Sequence, residues 1–346
     1  MNDSPPKIDN FNHPDRFVRG WYWAIASQHL KIGQVKAVNL LGKELAIYRT
    51  QQGLAVALDA YCPHMGAHLA EGRVEGEDIR CMFHNWKFDC QGTCVEIPCL
   101  DRVLPVRVKT WQVAERYGLV WVWTGDDPPQ PLPYVPELKD VECAAMLGST
   151  FIKNCHPNVV LINAIDAHHF NTVHNFPVEI VFEQQIIDRS ATTFSNITRG
   201  GKDSWLVKLI QPFYREAGTY SMCYWYGSTG TVTLGPDFLH FYIMFALRTL
   251  EGGKTEGQTV LITPKRSGVL GWIFNRLVLW ITQLVGNYFA KGDTQIFQTI
   301  NFNLQTPTPA DRSILQFIHH VDRQPAGMWG SWAGKMAETP SNTLNC

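Results

Sequence analysis

Cys62-Pro63-His64 and, after a gap of sixteen residues, Cys81-Met82-Phe83-His84 each supply one thiol and one imidazole. A Rieske-type [2Fe–2S] cluster needs two thiolates on one iron and two neutral imidazoles on the other, and the imidazoles raise its reduction potential. Zinc also takes two Cys and two His, but its sites usually present a Cys pair followed by a His pair. The alternating order therefore favours the cluster. Gly66 after the first pair and Gly76 before the second give the loops freedom to turn. His68 reads as a hydrogen-bonded loop histidine, and Trp86 and Phe88 as packing around the cluster. Cys90, Cys94 and Cys99 are spaced C-x3-C-x4-C, which does not match the plant-type ferredoxin pattern, so they read as core and loop residues.

A second set lies between Asn163 and His174, where Asp166, His168, His169 and His174 crowd one short segment. The segment Val159–His174 is expected to be a helix, with Asp166 and His169 one turn apart on one face. His169 and His174 are five residues apart, about 140° on an ideal helix, so they can meet at one metal only if the helix ends or bulges between them. Pro177 gives a reason for such an ending, because it disfavours the helical region at Phe176. His168 points away from the His169 face and is expected to be a non-ligand. Two histidines and one carboxylate with open positions make the facial triad of non-haem Fe(II) oxygen chemistry.

The carboxylate has a candidate downstream. Val285, Phe289, Asp293, Ile296 and Ile300 fall at steps of four, four, three and four, which puts Asp293 on an apolar stripe of a helix running from about Gly268 to Ile300. A metal would relieve the cost of an acid there. The alternative is that Gly292 breaks the helix and Asp293 N-caps a second one.

The elements that must hold these groups follow from the rest of the chain. Its 346 residues carry 30 basic and 31 acidic side chains, a net charge of -1, which gives no electrostatic reason to expect a nucleic-acid binder. Apolar residues at 45% can fill one large or two ordinary cores. Between Trp21 and Trp123 short β-rich runs alternate with glycines, the texture of a small antiparallel β domain. Asp126 to Pro136 contains five prolines and marks a boundary. Beyond it, strand-like runs at Ile180–Ile187, Ser204–Pro212, Thr219–Tyr226, Thr231–Leu234, Phe238–Thr249 and Gln258–Thr263 lie between two helical segments, an α+β pattern in which helices cover an antiparallel sheet. The expected division is an N-terminal arm at 1–16, the cluster domain at 17–127, a linker at 128–136 and the iron domain at 137–346. The N-terminus has neither a basic nor an apolar leader region, and nine scattered cysteines suit a reducing compartment, so the cytoplasm is expected. Ser267 to Phe289 is the most apolar stretch, but Asn275, Arg276, Gln283 and Asn287 argue for a helix of the fold over a transmembrane segment, with membrane-surface contact as the lesser option.

These motifs, together with Ala114-Glu115-Arg116-Tyr117-Gly118-Leu119-Val120-Trp121-Val122-Trp123, resemble the catalytic α component of the Rieske non-haem iron oxygenases over nearly the whole chain. Gly66 to Val74 and Val95-Glu96-Ile97-Pro98 are similar to the branch that holds aminopyrrolnitrin oxygenase, ketosteroid hydroxylases and cholesterol desaturases. Phe83 and Asn85 depart from the Tyr and Gly that often flank the second cluster histidine. The resemblance implies a helix-grip-like catalytic domain, the cluster on Cys62, His64, Cys81 and His84, and mononuclear Fe(II) on His169, His174 and Asp293. It also implies an electron bridge at Asp166, which is expected to hold His169 by its second ring nitrogen, and a homotrimer in which one subunit's cluster faces the next subunit's iron. The expected activity is oxygenation by O2 of an apolar or aromatic small molecule, held by side chains such as Val173, Phe241 and Phe297. There is no dinucleotide-binding glycine motif, so NAD(P)H would act only through a separate reductase or ferredoxin. The alternatives are a Rieske electron-transfer or structural protein without a working second iron and, at the level of substrate, a desaturase.

Overall fold

Alternating apolar positions in short runs produce three small antiparallel sheets before residue 124. The computed structural model describes residues 10–174, 180–197, 219–236 and 239–329, without the side chains of Phe289 and Lys291. Ser204–Pro212, Pro177 and Phe238 lie outside the described residues. Strands β1 (Trp21–Ala26), β2 (Val35–Leu40), β3 (Lys43–Arg49), β4 (Ala55–Asp59), β5 (Arg73–Glu75), β6 (Asp78–Arg80), β7 (Lys87–Phe88), β8 (Cys94–Glu96), β9 (Thr110–Trp111), β10 (Val113–Arg116) and β11 (Leu119–Trp123) form sheets ordered β9-β4-β3-β2, β5-β6-β7-β8 and β10-β11-β1.

The central sheet is buried on both faces. In β3, Leu45 and Ile47 join a core with Tyr22, Val120 and Val122, while Ala46 and Tyr48 point the other way into a core with Cys62, Cys81, Trp86 and Phe88. The period-two alternation of a strand makes one segment serve both cores. The cluster loops thus stand on a packed platform.

The other faces of β1 and β11 send Trp21, Trp23, Trp121 and Trp123 into a third, central core shared with the second half of the chain. The proline-rich segment runs across this junction without regular secondary structure. Its carbonyls accept from Trp123 Nε1 at Asp127 (2.9 Å), Trp21 Nε1 at Gln130 (2.7 Å), Tyr226 at Pro131 (2.6 Å) and Trp225 Nε1 at Tyr134 (3.0 Å).

The second half is built on one seven-stranded antiparallel sheet. Strands β12 (Cys143–Lys153), β13 (Phe182–Ile186), β14 (Ala191–Asn196), β15 (Thr219–Trp225), β16 (Thr229–Gly235), β17 (Phe241–Leu250) and β18 (Lys254–Pro264) are ordered β12-β18-β17-β16-β15-β14-β13. Helices α1 (Pro157–Ile162), α2 (Ala167–Thr172) and α3 (Gly268–Asp293) cover one face, followed by α4 (Ile296–Thr299) and α5 (Arg312–Asp322). Tyr220 and Tyr224 on β15 fix the distance between layers by donating to the carbonyls of Ala164 (2.7 Å) and Leu161 (2.8 Å).

Two expectations need correction. Val159–His174 is not one helix, because α1 passes into a 3-10 turn at Asn163–Ile165 and Asp166, with extended ψ, starts α2 anew. Its carboxylate accepts the His169 backbone N–H, the bond that makes Asp a preferred helix start. The second helical segment ends at Asp293, short of Ile300. Residues 10–16, the described part of the expected arm, are tied to the fold, since Phe11 is fully buried in the central core and the N–H groups of Asn10 and Phe11 donate to Asp322 at 2.8 and 2.9 Å.

Candidate metal centres

Each cluster loop is a tight turn closed by its own backbone. Cys62 N–H donates to Ala67 and Gly66 N–H returns to Cys62, both at 2.9 Å, while Cys81 N–H donates to Trp86 at 2.9 Å across the second loop. Asn85 has φ +57°, a left-handed conformation in which Asn is among the few tolerated non-glycine residues. That accounts for one of the two departures. Arg80 braces the same turn from below: it donates to the Asn85 carbonyl at 2.7 Å and pairs with Glu75 and Glu96. Its guanidinium holds both carboxyls below the usual carboxylate range.

The four side chains divide by polarity. The Cys62 and Cys81 thiols are buried and adjacent, and burial pushes Cys62 up to about 11 despite a hydrogen bond from the His64 backbone. His64 and His84 are exposed, their ring centroids 4.5 Å apart, with His64 stacked on Trp86 at 4.4 Å. A buried thiol pair beside an outward imidazole pair fits a cluster whose two irons take different ligands. Cys94 packs beneath the thiols, and Cys90 and Cys99 are half-buried and exposed, respectively.

The second set converges from two elements. Ending α2 at Thr172 leaves Val173 as its cap and lets His174 turn back toward His169, which the 140° separation on a continuous helix forbids. Asp293, the last residue of α3, arrives from 119 residues downstream of His174 (293 less 174). His169 Nε2 lies 2.9 Å from Asp293 Oδ1 and 3.1 Å from His174 Nε2, and His174 Nε2 lies 3.2 Å from the same oxygen. Metal–ligand bonds of about 2.1 Å at right angles give ligand–ligand edges of about 3.0 Å, so the three atoms are spaced as one face of an octahedron. Burial lowers the His174 pKa, opposed by Asp293, and so favours the neutral imidazole that ligates metal. The donor set fits Fe(II). Asp293 does not cap a second helix, because α3 runs through it and α4 begins after Gln295.

Residues 20–112 match the Rieske [2Fe-2S] domain model. The chain carries a Rieske domain. Its similar relatives include cholesterol 7-desaturase nvd of Bombyx mori, 38% identical over 47% of this chain and 36% of that protein. A 3-ketosteroid-9-alpha-monooxygenase oxygenase component of Rhodococcus rhodochrous is 30% identical over 64% and 59%, and aminopyrrolnitrin oxygenase PrnD of Pseudomonas fluorescens is 37% identical over 50% of each. The chain thus spans between 36 and 59% of the length of these relatives. In fold it is similar to NdmB of Pseudomonas putida CBB5, with TM-score 0.65 at 16% identity over 88% of this chain and 90% of that one. Dicamba monooxygenase with non-haem iron gives TM-score 0.58 at 20% identity over 88% and 97%. The chain thus holds a Rieske domain at residues 20–112 and has a fold similar to those of NdmB and dicamba monooxygenase.

Beside these candidate ligands the fold places residues that the sequence reading did not count among the site. Asn163 Nδ2 stands 3.1 Å from His169 Nε2. A Cβ on Gly292 would come within 3.1 Å of Val173 and 3.3 Å of His174, so the missing side chain is what admits α3 to the His174 turn. Lys153 reaches from β12 to Thr294 Oγ1 at 3.0 Å and is drawn to Asp293. Only Gly292 carried a legible signal, a glycine beside an acid, and it reads equally as a helix break.

Asp166 is at the start of α2, where its Oδ1 accepts from the His169 backbone at 3.0 Å. This contact orients the helix that carries the ligand and is made to the main chain, not to the imidazole as expected. His168 is exposed and outside the converging group. Of the apolar residues assigned to a pocket, Val173 caps α2 against Gly292, Phe241 opens β17 beside Gly235, and Phe297 is buried in the central core with its carbonyl accepting from Asn154.

Proposed function

We propose that the chain is a terminal oxygenase that uses O2 and externally supplied electrons to hydroxylate or N-oxygenate an apolar or aromatic small molecule. The observation that carries this reading is the convergence of His169, His174 and Asp293, within 3.2 Å of one another, in a chain that also holds a Rieske domain. An electron-transfer or structural Rieske protein has no use for that face of an octahedron. Bound at these residues, the cluster supplies single electrons and the iron supplies the open positions at which O2 is activated.

The residues of the chain have distinct tasks in this reading. Cys62 and Cys81 anchor the buried side of the cluster and His64 and His84 present it outward. Asp293 and the two imidazoles would hold the iron by three donors, and Val173, Phe241 and Phe297 are proposed to shape the substrate site between α2 and the sheet. Asp166 is proposed to link a neighbouring subunit's cluster histidine to the α2 helix in a homotrimer. A reductase or ferredoxin delivers electrons from NAD(P)H in the cytoplasm; all eight described cysteines are free, as that compartment allows. The likeness to cholesterol 7-desaturase favours desaturation of a steroid or terpenoid as the second reading of the same iron.

Two measurements test the proposal. Purified, iron-replete protein should contain about three irons per chain, two in the cluster and one outside it. Incubated with a reductase, metabolite extracts and 18O2, it should yield a product carrying one labelled oxygen. Two irons per chain would support the electron-transfer alternative, and an unlabelled product two hydrogens lighter than its substrate would support desaturation.

A further inference from the structure

The long helix α3 is apolar on both sides. Its inner side is small and close-packed: Asn275, Val278, Leu279 and Thr282 are buried, Leu279 meets Ile243 and Leu261 of the sheet, and a Cβ on Gly286 would lie 3.3 Å from Ile243. A surface helix normally shows polar side chains on the opposite face. Here that face carries Leu270, Ile273, Leu277, Trp280, Leu284 and Tyr288, between 49 and 83% exposed. They follow steps of three, four, three, four and four, one continuous stripe along the outward side.

Both edges of the stripe are finished the same way. Arg276 lies over the ring of Trp272 at 5.5 Å on one edge and Arg266 over that of Phe274 at 4.4 Å on the other, with both aromatic rings exposed. Neither arginine has a carboxylate partner among the described residues. From Gly268 to Gly292 the sequence contains Arg276 and Lys291 and no acid.

We infer that the outward face of α3 is a docking surface for an anionic lipid bilayer, on which the protein lies with the helix parallel to the membrane plane. The helix has the length and composition of a membrane span over Gly268–Tyr288, but its inner side is committed to the sheet, so it can enter only the interfacial layer. Aromatic rings paired with guanidiniums suit that layer, where one end of a side chain is wet and the other apolar. A second copy of the chain is the poorer occupant. From Trp272 round to Phe274 the exposed apolar arc spans about 200°, broader than a helix–helix seam, and a self-complementary contact would oppose only like charges.

Flotation of the full chain with vesicles tests this without requiring turnover. Wild-type protein should float with vesicles containing one-third phosphatidylglycerol and less with phosphatidylcholine alone. Leu277→Glu with Trp280→Glu should reduce partitioning to both by at least roughly tenfold. Arg266→Glu with Arg276→Glu should reduce only binding to the anionic vesicles, by roughly fivefold per residue. Absence of binding, or binding unchanged in the Leu277/Trp280 variant, overturns the inference. So does a fall in molecular mass in that variant, which would make the face an interface between copies. A lowered melting temperature with the cluster absorption diminished would do the same, by showing that the chain's own residues cover it.

Discussion

In the Rieske domain two loops each contribute a Cys and a His from within four residues, on a platform of strands that bury one core above and another below. In the second half the candidate ligands come from a helix that must stop at Thr172 and from the far end of another that begins 94 residues after His174 (268 less 174). The first site needs its neighbours mainly for support, whereas the second does not exist until the tertiary fold brings α3 against α2. A site made of local pairs can survive loosening around it. A site made by two elements is lost when either moves.

The largest expected effect separates the two regions outright. His174→Ala should reduce turnover by more than about a hundredfold and remove one iron per chain while leaving the Rieske EPR signal of the reduced protein intact. His84→Ala should abolish that signal and keep the mononuclear iron. If either substitution emptied both sites, the independence drawn from their separate cores would be wrong.

Asp166 sharpens the comparison because it belongs to the second site by position and to the first by proposed task. Asn caps a helix about as well as Asp, so Asp166→Asn should leave stability and both metal contents unchanged. Transfer from the reduced cluster to the mononuclear iron should nonetheless slow by orders of magnitude. Single-turnover reoxidation of the cluster with substrate and O2 decides the point: the wild-type rate would leave Asp166 as a helix cap and nothing more.

The smallest effect concerns acid. His156 caps α1 by accepting the Asn158 N–H at 3.2 Å, and its Nε2 is buried without a partner. Burial, aided by His13, lowers its pKa to about 3, against about 6.5 when unfolded. The folded state then binds fewer protons, so stability is full above about pH 6.5 and is lost as pH falls toward the folded value. At pH 5 this one group costs about 2 kcal/mol. His156→Asn keeps a capping side chain and removes the titration. Urea unfolding at pH 7 and 5 should therefore show a smaller acid loss in the variant, and an equal loss in both would place the acid sensitivity elsewhere.

Some elements were legible because their pattern is local, and others were hidden for definable reasons. Strand β12, Cys-Ala-Ala-Met-Leu-Gly-Ser-Thr-Phe-Ile-Lys, opens with good helix formers and lies half-exposed at the sheet edge, so neither propensity nor alternation marks it. Helix α5 buries Ile314, Phe317, Ile318 and Val321 at helical spacing, a readable pattern to which the sequence reading assigned no element.

The sequence alone determined the chemistry of the first centre. Two Cys–His pairs with their turn glycines mark the candidate cluster ligands, because each pair is held by a loop of its own. It also named the histidines of the second centre, since three within seven residues are hard to place otherwise. Only the tertiary structure decided that α2 begins after Asp166 and ends at Thr172, that Asp293 meets both imidazoles and does not cap a helix, and that Gly292 makes room for His174. Each of those depends on contacts between elements far apart in the chain. Helical periodicity shows which side chains share a face, but not what that face will meet.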